Sequence, residues 1–493
     1  MEIEQFQAYD PNKPISINWD NKKMQLVGSS NLPWIEATST GLKVNPMKLS
    51  QFLKYEKDNE GYNLFNYKVV QSSDKSDKFF IYFYRNGYYK RMASEEFKGM
   101  IRLYIPQLLR KKRDVDEIYA DLISADKFIM ESLFNADEDI INFQDGIYKV
   151  STKELLPHSP KFLSTIQIPA KYKDIVESGD SAPVFDSYMD TLCNGNEEIK
   201  QILMRCIGLT ISNVYGHRTK KVLFLVGKGD TGKSQLKKLV EALLGDENVS
   251  SIDLVDLSRS FGKSAIYGKR LIGCNDMSYQ NINDMGIFKQ TSGGDSINIE
   301  FKHGGFLNYT YKGFMWFNCN SLPPFSGDKG SWVYDRMLPV LCNNVIPPEK
   351  RDPKIFDKMY KEKNVIIKRS LKALDDLIAD NFQIERTKEM DILLSEYEIS
   401  NNTLLLFIKE CCVKATDNVK TRRSTFNKCY DAWIKLYNNG KGKVGNETMK
   451  QILMDTYREG YKLSKGIYYM DKLAIMPEKM QELGIIEGGN DYV

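Results

Sequence analysis

The sequence predicts an α/β chain whose central domain is a mostly parallel sheet with helices between its strands. Three observations predict it. An apolar, β-branched-rich run at 222–226 breaks at Gly227 into a glycine-bearing loop, and the following stretch, 235–244, is amphipathic, with Leu236, Leu239, Val240 and Leu243 on one side. Further apolar runs, within 269–276 and at 311–317, recur between helical segments and end in polar residues. Such alternation builds a parallel sheet whose ligands sit at the carboxyl ends of its strands. Finally, 493 residues are too many for one core and, at about 150 residues per domain, suggest about three.

Composition excludes several classes. The chain is 42% hydrophobic and 27% charged, as globular proteins are, and no run approaches ~18 consecutive apolar residues. The opening Met-Glu-Ile-Glu-Gln-Phe lacks the basic-then-apolar order of a signal peptide, so the expectation is a soluble, cytoplasmic protein with no membrane partner. The eight cysteines show no C-x-x-C pairing and are expected to be reduced and mostly buried. Three histidines, at 158, 217 and 303, exclude a His-rich metal centre. The net charge of +4 is too small to establish a nucleic-acid partner without a local patch.

In chain order, residues 1–95 mix strand-like runs such as 79–84 with polar turns such as 72–76, giving a small α+β module of unassigned role. The aromatic run at 79–84 fits a sheet core better than a nucleic-acid surface. Residues 96–204 begin helical, with Met100, Leu103, Tyr104, Leu108, Ile118, Leu122 and Ile129 at three-to-four spacing around the basic run Arg110–Arg113. A strand, a turn at Asp145-Gly146 and a second strand follow. Residues 205–350 hold the parallel-sheet core, 351–400 a helical connector and 401–493 a C-terminal module.

The loop after the 222–226 run fits G-x-x-x-x-G-K-[ST] through Gly227, Gly232, Lys233 and Ser234. Glycines let backbone N–H groups curl round phosphates, Lys233 reaches the β- and γ-oxygens, and the Ser234 hydroxyl sits on Mg²⁺. Asp276, ending an apolar strand 42 residues after Ser234, suits holding the metal and polarising an attacking water. A polar residue after 311–317, in Asn318-Cys319-Asn320, can orient water against the γ-phosphate.

These motifs, in order with Gly293-Gly294-Asp295, Lys302-His303 and Asp335-Arg336, resemble superfamily 3 helicases of the poxvirus and phage primase-helicase type, as found in mobile-element replication initiators. The resemblance spans roughly residues 100–493 and includes Phe143–Tyr148 and Leu156–Pro160 ahead of the core. It implies an AAA+-type core, preceded by a helical oligomerisation collar and followed by a winged-helix-like domain. It further implies a ring, usually a hexamer, that translocates on single-stranded DNA with ATP and Mg²⁺ in a bacterial host cell. By that resemblance Gly227, Gly229, Asp230, Thr231, Gly232, Lys233 and Ser234 hold the triphosphate, and Ser234 and Asp276 the metal. Asp276 also activates water, Asn320 senses the γ-phosphate and Arg336 reaches into a neighbouring subunit's site. Lys302 and His303 tip a channel hairpin, with Lys289 a further basic position. Asn275-Asp276 departs from the paired acids of many members, and no primase constellation is present.

In the C-terminal module, Leu405, Phe407, Ile408 and Cys412, then Phe426, Tyr430, Trp433 and Leu436, suggest two packed helices. A third starts at Met449, and 462–470 forms a strand, turn and strand. Residues 401–480 hold 15 Lys plus Arg against 8 Asp plus Glu, a net of +7. This fits a duplex-DNA reader, such as one for a replication origin, with Thr421, Arg422, Arg423 and Ser424 as phosphate contacts, then Lys450, Lys462 and Lys465. The competing expectations are an ATP-regulated origin-binding scaffold and a small-molecule phosphotransferase.

Overall fold

The computed structural model describes residues 16–18, 25–27, 32–39, 41–59, 61–71, 79–124, 128–259, 261–282, 284–301, 305–325, 331–416, 419–438 and 443–485. The chain divides into two compact units. The first comprises 1–277, 286–320 and 342–384, the second 278–285, 321–341 and 385–493.

In the first unit, an antiparallel sheet of Tyr67–Gln71, Phe79–Arg85 and Tyr88–Met92 packs with the helices Pro46–Tyr55, Ser94–Leu103 and Lys112–Leu122. One hydrophobic core joins them and includes Trp34, Leu49, Phe65, Val69, Phe83, Phe97, Ile118 and Leu122. The core therefore runs through residue 95 without a break, and the two helices after it belong with the sheet before it. Phe80, Ile81, Tyr82 and Phe83 are all buried, as the sheet-core expectation requires. Arg110 to Arg113 lie exposed at the start of the Lys112–Leu122 helix. The turn at 72–76 lies outside the described residues.

A second antiparallel sheet, Ile140–Phe143, Gly146–Lys149 and Glu154–Leu156, has its first turn where Asp145-Gly146 marks it. The Asn86-Gly87 turn docks on this sheet: Asn142 Nδ2 donates to the Gly87 carbonyl at 3.0 Å and Gln167 Nε2 to the Asn86 carbonyl at 2.8 Å. Helices Pro183–Leu192 and Glu197–Ile211 lead into the central sheet.

Four parallel strands lie in this unit, in the order Val249–Ser251, Leu271–Gly273, Phe314–Cys319, Val222–Val226. Val222–Val226 is buried at every position, as a central parallel strand must be. The expected 311–317 strand runs instead from Phe314 to Cys319; Tyr311 is buried and its hydroxyl donates to the Phe314 carbonyl at 2.9 Å. Arg270, 3% exposed, fixes the sheet to the end of the Glu197–Ile211 helix by donating to the carbonyls of Leu209, Thr210 and Val214, and to that of Lys312. Terminal helix carbonyls, negative by the helix dipole, thus satisfy a buried guanidinium. Ser296–Glu300 and Phe306–Thr310 form an antiparallel hairpin beyond the sheet.

In the second unit, helix Ser331–Arg336 runs directly into strand Met337–Leu341, and helix Lys388–Asn401 precedes the C-terminal module. That module follows the order helix Thr403–Cys411, strand Cys412–Lys414, helices Arg423–Asn438 and Asn446–Tyr457, then strands Tyr461–Ser464, Ile467–Met470 and Leu473–Ile475. The two packed helices and the strand-turn-strand stand where periodicity places them, and the third helix starts three residues earlier, at Asn446. Phe407, Phe426, Tyr430, Trp433, Met449, Leu453 and Ile475 form a core of its own.

Candidate functional site

Parallel register decides which loops meet. Val226 stands opposite Cys319, and the Gly227 N–H donates to the Cys319 carbonyl at 3.1 Å, so the glycine loop and Asn320 leave the sheet side by side. Beside them the Asn318 N–H donates to the Cys274 carbonyl at 2.9 Å and the Met277 N–H to the Asn318 carbonyl at 2.8 Å, which sets Asn275 and Asp276 at the same edge. Three segments that sequence reasoning linked only by motif order thus converge at the carboxyl end of one sheet.

The loop's geometry explains two of its glycines. Gly227 has φ +152, and a side chain there would put its Cβ 2.0 Å from the Cys342 carbonyl oxygen. Gly232 has φ +94 and its Cα faces the Tyr188 ring. The Tyr188 hydroxyl donates to the Gly232 carbonyl at 2.6 Å, pinning the residue before Lys233 at the start of the Lys233–Leu244 helix. Ser234 is exposed there, where N–H groups and the helix dipole favour an anion.

Lys233 is turned into the loop. Its Nζ donates to the carbonyls of Gly227 and Lys228, both at 2.6 Å, and to Thr231 Oγ1 at 3.2 Å. Burial lowers its pKa from the ordinary lysine value, against the pull of the Cys342 and Cys319 thiols and the Asp276 carboxylate. Asp276 itself is exposed and lies within electrostatic reach of that ammonium. Asn320 is exposed, whereas Asn318 is buried and structural: its Oδ1 accepts from Trp316 Nε1 and its Nδ2 donates to Asn275 Oδ1, both at 3.1 Å. Asn275, the departure from paired acids, is therefore a strut between two strand ends.

Sequence reasoning missed three residues here. Tyr188 carries no motif and meets the loop only through packing. Cys342 lines Gly227 from a segment whose Ile346 N–H donates to the Asp230 carbonyl at 2.9 Å. Arg351, in the same segment, pairs with the Asp230 carboxylate at 3.0 Å and donates from Nε to the Ile346 carbonyl at 2.9 Å. Asp230 takes a left-handed φ of 62, holding its carboxylate outward toward that arginine.

Among the described residues, no group of three His, Cys, Asp or Glu side chains could hold a metal ion. The Ser234 hydroxyl and Asp276 carboxylate are hard oxygen donors of the kind Mg²⁺ takes when substrate phosphates complete its shell. That donor chemistry fits the cation the motif implies.

The remaining sequence-derived positions fall elsewhere. Lys302 and His303 lie outside the described residues, beyond the ends of the Ser296–Glu300 and Phe306–Thr310 hairpin. Lys289 is exposed on helix Gly286–Gly293. Arg336 ends helix Ser331–Arg336 in the second unit. Arg422 is half-buried and Arg423 exposed at the start of the Arg423–Asn438 helix, with the Arg423 guanidinium 4.5 Å from the Tyr461 ring centroid. Thr421 is corrected: it is 1% exposed, its hydroxyl accepts the Ile475 N–H at 2.8 Å and its carbonyl the Met470 N–H at 2.9 Å, so it braces the module and cannot meet a phosphate. Among the described residues no helix is long and apolar enough to cross a membrane.

A family model described as "D5 N terminal like" matches residues 63–203, and one described as "Family of unknown function (DUF5906)" matches 225–336. The chain is 24% identical over 221 residues to "Putative helicase L207/L206" of Acanthamoeba polyphaga mimivirus; the match covers 42% of this chain and 22% of that protein. The chain thus spans only about a fifth of the length of that relative. It is 22% identical over 143 residues to "Uncharacterized mitochondrial protein ymf21" of Marchantia polymorpha, covering 27% of this chain and 78% of that protein. The apo NrS-1 C-terminal region aligns over 87% of this chain and 100% of its own, with 12% identity and a TM-score of 0.49.

Proposed function

We propose that the chain is an ATP-driven replicative DNA helicase and replication initiator that assembles as a ring and translocates on single-stranded DNA. The observation that carries this reading is the convergence of the Gly227–Ser234 loop, Asp276 and Asn320 at the carboxyl edge of one parallel sheet. The matches to a D5-type N-terminal model and to a helicase-named viral protein agree with it.

On this reading, loop N–H groups and the amino-terminal end of the Lys233–Leu244 helix bind the triphosphate. Lys233 exchanges the Gly227 and Lys228 carbonyls for phosphate oxygens. Mg²⁺, when bound, neutralises charge on the phosphates, with Ser234 and Asp276 as its protein donors. Asp276 accepts a hydrogen bond from the attacking water and orients it, and the Asn320 amide contacts the γ-phosphate. Arg336 of a neighbouring copy stabilises charge on the transferred phosphoryl group. Lys302, His303 and Lys289 grip the strand's phosphates, and the winged-helix-like C-terminal module meets duplex DNA through Arg422 and Arg423.

Forked-DNA unwinding by the wild type and Lys233→Ala tests the assignment. Unwinding by the wild type with ATP, abolished in the variant, is expected. A Lys233→Ala protein that still unwinds sinks it.

A further inference from the structure

The C-terminal hairpin, Tyr461–Ser464 with Ile467–Met470, closes on Lys465 and Gly466, whose φ values of 49 and 80 are those of a two-residue type I′ turn. Tyr461 stands opposite Met470 and Leu463 opposite Tyr468, so these four side chains share one face. Exposure climbs along that face from root to tip: Met470 is 2% exposed, Tyr468 55% and Leu463 60%.

The root is stiff. The Met470 N–H is held by the Thr421 carbonyl, the Asp471 N–H donates to the Gly460 carbonyl at 3.1 Å, and the Tyr461 ring lies under the Arg423 guanidinium. A braced hairpin therefore carries a leucine and a tyrosine, side by side, out into solvent. Basic groups rim the pair, Arg423 at the root of the face and exposed Lys465 in the turn, and residues 401–480 carry a net charge of +7.

We propose that Leu463 and Tyr468 form a stacking ledge for an unpaired nucleobase where single-stranded DNA meets duplex, with Arg423 and Lys465 holding the flanking phosphates. Two side chains offer far less area than the roughly 800 Å² per partner of a stable protein interface. They do match one base, whose apolar face stacks on an aromatic ring whatever its identity, and the cationic rim complements the backbone on either side. The proposal deepens the helicase reading and rests on it for the choice of DNA as partner.

The test uses the full chain and forked DNA with 2-aminopurine as the first unpaired base. Stacking on Tyr468 quenches the probe. Tyr468→Ala should lose the quench and bind the fork roughly tenfold more weakly, while Tyr468→Phe keeps both. DNA-stimulated ATP hydrolysis on unbranched single strands should be unchanged in each variant. Wild-type quenching by Tyr468→Ala would overturn the proposal. So would a fall in particle mass, in mass photometry, as the sole effect of Tyr468→Ala, because the surface would then belong to a second copy. A wild type that quenches the probe but never unwinds would remove the helicase reading and leave the ledge standing.

Discussion

Asp230 is an odd residue in a loop proposed to hold a triphosphate, because its carboxylate would repel that anion. Arg351 answers that repulsion from 3.0 Å, although 42% of its side chain and 57% of that of Asp230 are exposed. An exposed pair is worth at most about 1 kcal/mol, so Arg351→Ala should weaken nucleotide binding up to about fivefold. Asp230→Asn in the same protein should restore it, since the uncompensated charge is then gone. Titration with a fluorescent nucleotide across the four proteins measures the coupling, and additive effects would show that the two residues act independently. This pair was not legible in the sequence: 121 positions separate its members, and only the fold carries the 342–351 segment back across the loop. Tyr188 was hidden for the same reason, being one of two aromatics, with Phe185, on a helix that carries no motif. By contrast Gly227, Gly232, Lys233 and Ser234 were legible because phosphate chemistry fixes both their types and their spacing within eight residues.

Elements were legible where one local period decided them. The buried strand Val222–Val226, the helix after the loop and the two-residue turn at Lys465-Gly466 each follow from neighbours in sequence. The extent of the N-terminal core was not, because helices Ser94–Leu103 and Lys112–Leu122 join the preceding sheet through contacts such as Phe97 against Tyr67, 5.3 Å between centroids. Equally hidden was the use of that sheet. Phe80, on its middle strand, stacks edge-on at 4.9 Å against Phe301, the residue following the Ser296–Glu300 strand, and the Arg91 guanidinium lies over the Phe80 ring at 4.0 Å from its centroid. The N-terminal sheet thus holds one end of the hairpin proposed to meet DNA. Phe80→Ala removes that support at a cost of about 3 kcal/mol or more in local packing. Hydrogen exchange at Ser296–Glu300 should speed up, and stimulation of hydrolysis by DNA should fall while hydrolysis without DNA stays at its wild-type rate. Equal loss of both rates would place Phe80 in general stability.

At the scale of the whole molecule, one chain supplies Lys233 and Asp276 in its first unit and Arg336 in its second, and the ring reading requires the arginine to serve a neighbour's nucleotide. Head-to-tail contacts make every site in such a ring a composite of two copies. Lys233→Ala and Arg336→Ala subunits should each be inactive alone, the first through lost phosphate binding and the second through lost charge stabilisation with binding retained. Mixed in equal amounts and allowed to exchange, they should recover activity, because a copy with intact Lys233 can then face a copy with intact Arg336. Random assembly makes about a quarter of the interfaces fully intact, which sets the expected hydrolysis at roughly that share of the wild-type rate if sites fire independently. Should Arg336 act within its own chain, no mixture can place both residues in one site, and the mixed sample stays as inactive as its parents. Steady-state phosphate release from the two variants, alone and combined, therefore separates a shared site from a self-contained one without any image of the assembly.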